Sequence, residues 1–322
     1  MGRHGSKGSR MRASALWAAC TALGLLAQRQ PVAQQQPPAA GAPPRFKVET
    51  KMVHLLVNVK DAKGDLVGSL DQSDFTVYDC GVKQEIAVFE RQTQLPLSIA
   101  VLIDISSSTL KDFRSETTSL EKFFKALVGS GNMKDAAAVY SFNDAVTLQR
   151  DFTRNLGQLN GSLRSLNPNG STSLYDAIVF GAEGVSNREG RHVLVIVTDG
   201  GDTTSTYRYR DAIKEAHLAD AVVYPIVVVP ITNDAGRNVG GENALKQIAT
   251  DTGGRTFSAS VGAQLDQTFA EILRDLRRTY LLSYYPHELP KDAPEFHPVK
   301  VEMSRPELRP STRTGYYGDA GR

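Results

Sequence analysis

The sequence predicts an α/β protein built on a doubly wound, mostly parallel sheet with helices on both faces. Nearly continuous apolar runs occur at 97–103 and 192–198, as expected for strands that are buried on both faces. Between residues 95 and 278, such runs alternate with segments that have the apolar spacing of amphipathic helices. Alternation of strands with helices favours a parallel sheet that is covered on both sides.

The central segment divides into elements along the chain. We expect, in order, strand 97–103, helix 110–127, strands 136–142 and 146–152, helices 155–166 and 174–187, strand 192–198, helix 208–220, strand 222–229, helix 242–251, strand 255–259 and a last helix around 265–276. Only the short Asn143-Asp144 turn separates strands 136–142 and 146–152. They are therefore predicted to form a hairpin, which adds one antiparallel edge strand.

Both flanks of the central segment have strand patterns. Alternating apolar residues at 53–60, and short runs at 74–78 and 85–89, precede it, whereas 280–285 and 299–303 follow it. The three short strands before the central segment need other strands to pack against their apolar face. We therefore expect the two flanks to pair into a small β-sandwich, with the α/β domain inserted between its halves. The expected division is 46–93 for the first half, 95–278 for the α/β domain and 280–318 for the second half.

The N-terminus has the pattern of a secretory signal. Residues 1–27 combine a basic start with an uncharged apolar run from Ala13 to Ala27. Residues 28–45 are rich in Gln, Pro and Ala, which is typical of a flexible linker. The sequence therefore predicts export to the periplasm or cell exterior. An uncleaved signal is the alternative, and only then would the protein be attached to a membrane.

Charge and cysteine content exclude some classes of function. The chain has 37 basic and 35 acidic residues, and four of the basic ones lie in the predicted signal. The remaining chain has no basic excess, so nucleic acid is not an expected partner. Cys20 would leave with the signal, and Cys80 would then be the single cysteine, which excludes an internal disulfide.

Hydroxyl and carboxylate side chains follow predicted strand ends. A D-x-S-x-S stretch with Asp104, Ser106 and Ser108 comes directly after strand 97–103. Thr172 lies in a Gly-containing loop before a helix, and Asp199 ends the strand 192–198. Since ligands of open α/β sheets bind at the carboxyl ends of the strands, these three loops are expected to converge on one rim.

The donor set indicates a hard cation. All five side chains, Asp104, Ser106, Ser108, Thr172 and Asp199, offer oxygen, and neither His nor Cys belongs to the group. Such ligands suit Mg²⁺, Mn²⁺ or Ca²⁺ and disfavour zinc. Each piece alone is also explained as a helix cap or a turn. The joint pattern, with each piece at the end of a predicted element, favours the metal site.

These three pieces resemble the metal-ion-dependent adhesion site of von Willebrand factor type A domains, over roughly residues 95–278. The resemblance implies Mg²⁺ or Mn²⁺ at the five residues and an acidic side chain of a protein partner that completes the coordination. The flanks also resemble a bacterial secreted subgroup of related proteins, through Val67-x-x-Leu70-x-x-x-Asp74-Phe75 and the 315–317 segment. That subgroup usually has an acidic residue or Asn in place of Cys80.

The expected function is thus an exported, non-enzymatic, metal-dependent protein-binding module. An envelope scaffold with a structural or vestigial metal site is the first alternative. A metal-assisted hydrolase is the second, but the sequence offers no base placed to activate Ser106 or Ser108, and it lacks the common hydrolase and nucleotide-binding motifs.

Overall fold

The fold is taken from a computed structural model that describes residues 51–91, 94–229 and 238–318. The predicted signal (1–27) and linker (28–45) lie outside the described residues. Within the described ranges, no helix combines the length and the apolar character needed to cross a membrane.

The described residues form strands and helices that alternate in the centre of the chain. The strands are β1 (Val53–Lys60), β2 (Phe75–Asp79), β3 (Val82–Gln84), β4 (Val88–Glu90), β5 (Leu97–Asp104), β6 (Ala136–Phe142), β7 (Val146–Thr153), β8 (Arg191–Thr198), β9 (Ala221–Val228), β10 (Phe257–Ala259), β11 (Tyr280–Tyr284), β12 (Phe296–Met303), β13 (Arg309–Ser311) and β14 (Gly315–Tyr317). The α-helices are α1 (Phe113–Ser130), α2 (Leu156–Arg164), α3 (Leu174–Ser186), α4 (Tyr209–Leu218), α5 (Val239–Asp251) and α6 (Ala263–Arg277).

The central sheet has six strands in the order β10-β9-β8-β5-β6-β7. Its pairs are parallel except β6–β7, which is antiparallel and confirms the predicted edge hairpin. Every residue of β5 is buried, because helices cover both faces. Apolar side chains of α1, α2 and α6 pack on one face, and those of α3, α4 and α5 pack on the other. The predicted doubly wound α/β fold is therefore confirmed.

The flanking strands form two antiparallel four-stranded sheets, in the orders β13-β1-β11-β4 and β14-β12-β2-β3. Each sheet combines strands from before and after the central segment, since β1 pairs with β11 and β2 pairs with β12. Apolar side chains of both sheets, among them Val57, Val77 and Tyr280, share one core. The sandwich built from both flanks is thus present, whereas the domain boundaries at 46–93, 95–278 and 280–318 stay predictions.

Some short elements differ from the expectation. The single strand predicted at 85–89 is replaced by β3 and β4, which belong to different sheets. The chain must cross between the sheets of the sandwich at this point, so a continuous strand cannot form. Strands β13 and β14 were not predicted, because three residues are too few for a periodic pattern.

Candidate metal centre

The first predicted loop follows β5 and begins with a buried carboxylate. Asp104 is the last residue of β5 and is fully buried. One carboxylate oxygen accepts a hydrogen bond from the Ser106 amide at 2.8 Å, and the other accepts one from the Thr198 hydroxyl at 2.7 Å. Because Thr198 is the last residue of the neighbouring parallel strand β8, these bonds hold the ends of both strands together.

The second loop contacts the first directly. The amide and hydroxyl of Ser107 both donate to the Gly170 carbonyl, each at 3.1 Å. Gly170 has a φ of 77°, a left-handed conformation that glycine adopts without strain. Thr172 follows in the same loop and is buried, with its amide bonded to the Thr203 hydroxyl at 2.9 Å. The loops that carry Asp104 and Thr172 are therefore in contact, as the sequence predicted.

The two serine hydroxyls lie on neighbouring positions. Ser106 is buried and Ser108 is exposed, and their Oγ atoms are 3.0 Å apart. This separation matches an edge of an octahedron with metal–oxygen bonds of about 2.1 Å, the length that Mg²⁺ prefers. The pair therefore fits two adjacent ligands of one ion, with the exposed serine on the solvent side.

The third loop adds negative charge to the same place. Asp199 follows β8 directly, is half-buried, and contributes to raising the pKa values of both Asp104 and Glu116. Burial is the main cause for Asp104, whose pKa rises to about 6 despite the hydrogen bonds from Thr198 and Ser106. Three carboxylates thus gather here, and no cationic side chain contributes to either shift among the described residues. A divalent cation would offset this repulsion.

Glu116 was not anticipated from the sequence. It lies in the first turn of α1, where an acidic residue is ordinarily a solvated side chain. In the structure it is buried, and its Oε2 atom has no hydrogen-bond partner in the described part of the chain. Burial, followed by the charges of Asp104, Asp112 and Asp199, raises its pKa to about 8. The burial of this carboxylate results from tertiary packing, so the local sequence does not indicate it.

Replacing Glu116 by Gln is expected to stabilise the metal-free protein by about 2 kcal/mol at pH 8. The folded pKa of about 8 exceeds the ordinary 4.5, so the folded state holds the proton more tightly. The stabilising effect of the proton on Glu116 is complete below about pH 4.5 and is lost as the pH rises through about 8. Urea unfolding between pH 5 and 8.5 measures the difference.

The control for Glu116 is Glu183→Gln, at an exposed residue of α3. This variant should follow the wild type within about 0.5 kcal/mol at every pH. The interpretation of Glu116 fails if both substitutions have the same effect, or if the gain from Glu116→Gln does not grow with pH.

Asp202 lies in the loop that follows Asp199 and contacts the start of α3. Its Oδ1 accepts the Leu174 amide at 2.8 Å and the Tyr175 amide at 3.3 Å. It also accepts the Ser205 hydroxyl. Asp202 therefore caps the N-terminus of α3 and orders the segment that follows Asp199.

No curated protein sequence matches the chain. Among solved structures, it is similar to the conserved hypothetical protein BatB from Bacteroides thetaiotaomicron, with 18% identity and a TM-score of 0.45 over 56% of this chain and 98% of that one. It is also similar to the vWF domain of the type V pili tip protein Mfa5 from Porphyromonas gingivalis, with 16% identity and a TM-score of 0.47 over 56% and 95%. The chain is similar as well to the PilB minor pilin from Streptococcus sanguinis, with 15% identity and a TM-score of 0.45 over 58% of this chain and 62% of that one.

The family model of the von Willebrand factor type A domain matches residues 98–271. This range is more than half of the 322 residues. It begins in β5, includes the central strands through β10 and ends in α6, so it covers the doubly wound core. The chain belongs to the von Willebrand factor type A domain family.

Proposed function

We propose that this protein is an exported, non-enzymatic module that binds a protein partner through a divalent metal ion, with Mg²⁺ as the ion and Mn²⁺ or Ca²⁺ as substitutes. Asp104, Ser106, Ser108, Thr172 and Asp199 would hold the ion, directly or through water, as in a metal-ion-dependent adhesion site. The observation that carries the proposal is the 3.0 Å pair of serine hydroxyls in the loop that begins with the buried carboxylate of Asp104. Export rests on the signal-like pattern of residues 1–27.

The burial of the ligands supports a one-sided site. Asp104, Ser106 and Thr172 are buried, whereas Ser108 is exposed. An ion held by these residues would be closed toward the sheet and open toward solvent at Ser108. Hydroxyl ligands add no negative charge, so an ion at this mouth would attract an acidic group of a partner.

An apolar side chain lies next to this mouth. Leu110 follows Ser108 by two residues, in the 3₁₀ turn Ser107–Lys111, and is 62% exposed. Burial of an exposed apolar side chain against a partner would add favourable free energy to a contact made at the metal. We therefore include Leu110 in the proposed partner surface.

The proposal of a binding site rather than a hydrolase rests on the surroundings of the serines. Within the described ranges, the Ser106 hydroxyl pairs with the Ser108 hydroxyl, and neither is hydrogen-bonded to a histidine. Activation of serine requires a base within hydrogen-bond reach. A binding role for the hydroxyls needs no such base.

Capture of partners from the native envelope fraction tests the proposal. The wild-type protein should retain partners in Mg²⁺ and lose them in EDTA, whereas Leu110→Ala should bind Mg²⁺ normally and retain at least about tenfold less partner. The control is Leu218→Ala, because Leu218 is also exposed, at 51%, but ends α4 just before β9 begins, at the opposite end of the sheet. Equal retention with and without EDTA would favour the scaffold alternative and reject metal-dependent binding.

A further inference from the structure

We propose that the β-sandwich has a second metal site, separate from the one above, in which Asp79, Cys80 and His297 bind one Zn²⁺ ion. One potential ligand atom of each residue, a carboxylate oxygen, a sulfur and a ring nitrogen, lies within 4.8 Å of the other two. Asp79 and Cys80 end β2 and enter the turn to β3, and His297 lies in β12. The pairing of β2 with β12 brings them together, with the Cys80 amide bonded to the Pro298 carbonyl at 2.9 Å.

The carboxylate of Asp79 is oriented for this role. Its side chain is fully buried, and Oδ2 accepts two phenol hydroxyls, from Tyr284 at 2.8 Å and from Tyr316 at 2.7 Å. Oδ1 accepts no hydrogen bond within the described residues. Buried carboxylate oxygens ordinarily have partners. The two tyrosines thus fix one oxygen, and the other remains available to a cation.

The spacing of two of the proposed ligand atoms fits a tetrahedral ion. Oδ1 of Asp79 lies 3.5 Å from Nδ1 of His297, which is longer than an ordinary hydrogen bond of about 2.7–3.2 Å. Zinc bonds of about 2.0–2.2 Å to nitrogen and oxygen place neighbouring tetrahedral ligands about 3.4 Å apart. Tyr316 lies opposite His297 on β14, and its hydroxyl is 3.2 Å from Nδ1 of His297. An ion at Nδ1 would replace this hydrogen bond, and the contact between the two rings, with centroids 4.9 Å apart, would still hold the imidazole in place.

The donor set selects the metal. One thiolate, one imidazole and one carboxylate suit Zn²⁺ and disfavour Mg²⁺ or Ca²⁺, which prefer oxygen throughout. On binding, the Cys80 thiol releases its proton to solvent, and the thiolate and carboxylate together neutralise the ion. Cys80 and His297 are both partly exposed, so the ion can enter, and water supplies the fourth ligand.

The turn supplies a conservative test variant. Cys80 has a φ of 47° and Gly81 a φ of 81°, and the two residues join β2 to β3. Both left-handed conformations suit Asn-Gly. Cys80→Asn therefore removes the thiol and keeps the turn. His297→Gln removes the imidazole, and His287→Gln is the matched control because His287 is exposed and uses only its backbone to contact Gln84.

Zinc titration of the full chain tests the proposal. The protein is stripped of metal, kept reduced and held in excess Mg²⁺, and Zn²⁺ is added in competition with a chromophoric chelator. Wild type, His287→Gln and Asp104→Asn should each bind one equivalent with submicromolar Kd, and Zn²⁺ should raise their melting temperatures. Cys80→Asn and His297→Gln should bind at least about 100-fold more weakly and show no such rise.

Cobalt provides a spectroscopic readout. Co²⁺ in place of Zn²⁺ should give a sulfur-to-metal charge-transfer band that Cys80→Asn abolishes and Asp104→Asn preserves. The proposal is overturned if the wild type does not bind one equivalent of Zn²⁺ tightly, or if Cys80→Asn binds Zn²⁺ as tightly as the wild type. Circular dichroism of the metal-free variants separates loss of ligand from loss of fold.

Discussion

Replacing Asp104 by alanine is expected to weaken Mg²⁺ binding at least about 100-fold, which in titration calorimetry is a complete loss of signal. Asp104 is the fully buried carboxylate at the end of β5, and its two oxygens fix the Ser106 amide and the Thr198 hydroxyl. The substitution therefore removes charge from the centre and also frees the loop that carries Ser106 and Ser108. Both effects reduce affinity for a cation.

Thermal unfolding gives an independent measurement of the same prediction. A ligand that binds only the folded state raises its stability, so Mg²⁺ should raise the melting temperature of the wild type and leave that of Asp104→Ala unchanged. The control is Asp292→Asn, because Asp292 is exposed in the loop between β11 and β12, outside the α/β domain. Its Mg²⁺ affinity should stay within about threefold of the wild type. Equal Mg²⁺ affinity in the wild type and Asp104→Ala would show that the 104–108 loop does not bind the metal.

The α/β core could be predicted because its strands have clear local sequence patterns. Strands β5 and β8 are long apolar runs, and their ends set the positions of Asp104 and Asp199. Because the rim of a parallel sheet is defined by strand ends, contact between the 104–108 and 169–173 loops could be expected from the sequence alone. Four of the five predicted ligands lie on these two loops and Asp199 lies on the loop after β8, although their binding of metal stays a prediction.

The features that the sequence did not predict depend on contacts between distant residues. Glu116 has the local sequence of an exposed first-turn acid, and only packing buries it. Asp79 and His297 lie 218 residues apart and become neighbours through the register of β2 with β12. Cys80 is the single cysteine outside the predicted signal, so no cysteine motif in the sequence points to a site there. Periodicity indicates the face of an element on which a residue lies, but it does not identify the residues that pack against that face.

A large loss of stability is expected when Asp135 is replaced by alanine, about 2–4 kcal/mol in the free energy of unfolding. Asp135 is fully buried just before β6. Its Oδ1 accepts the Leu97 amide at 2.8 Å, and its Oδ2 accepts a guanidinium hydrogen of Arg277 at 2.7 Å. Leu97 begins β5 and Arg277 ends α6, so one carboxylate joins the points where the chain enters and leaves the α/β core.

The size of the loss follows from what the substitution leaves behind. Leu97 is 1% exposed, so its amide would have no acceptor, whereas the Arg277 side chain is 33% exposed and can reach water. Asp135→Asn restores an acceptor for the amide but not the charge, and should recover about half of the loss. Urea unfolding should show a lower midpoint with an unchanged slope. Asp292→Ala, at an exposed loop residue, should change stability by less than about 0.5 kcal/mol. A cost for Asp135→Ala as small as that of Asp292→Ala would mean that other contacts hold the start of β5 and the end of α6 together without this carboxylate.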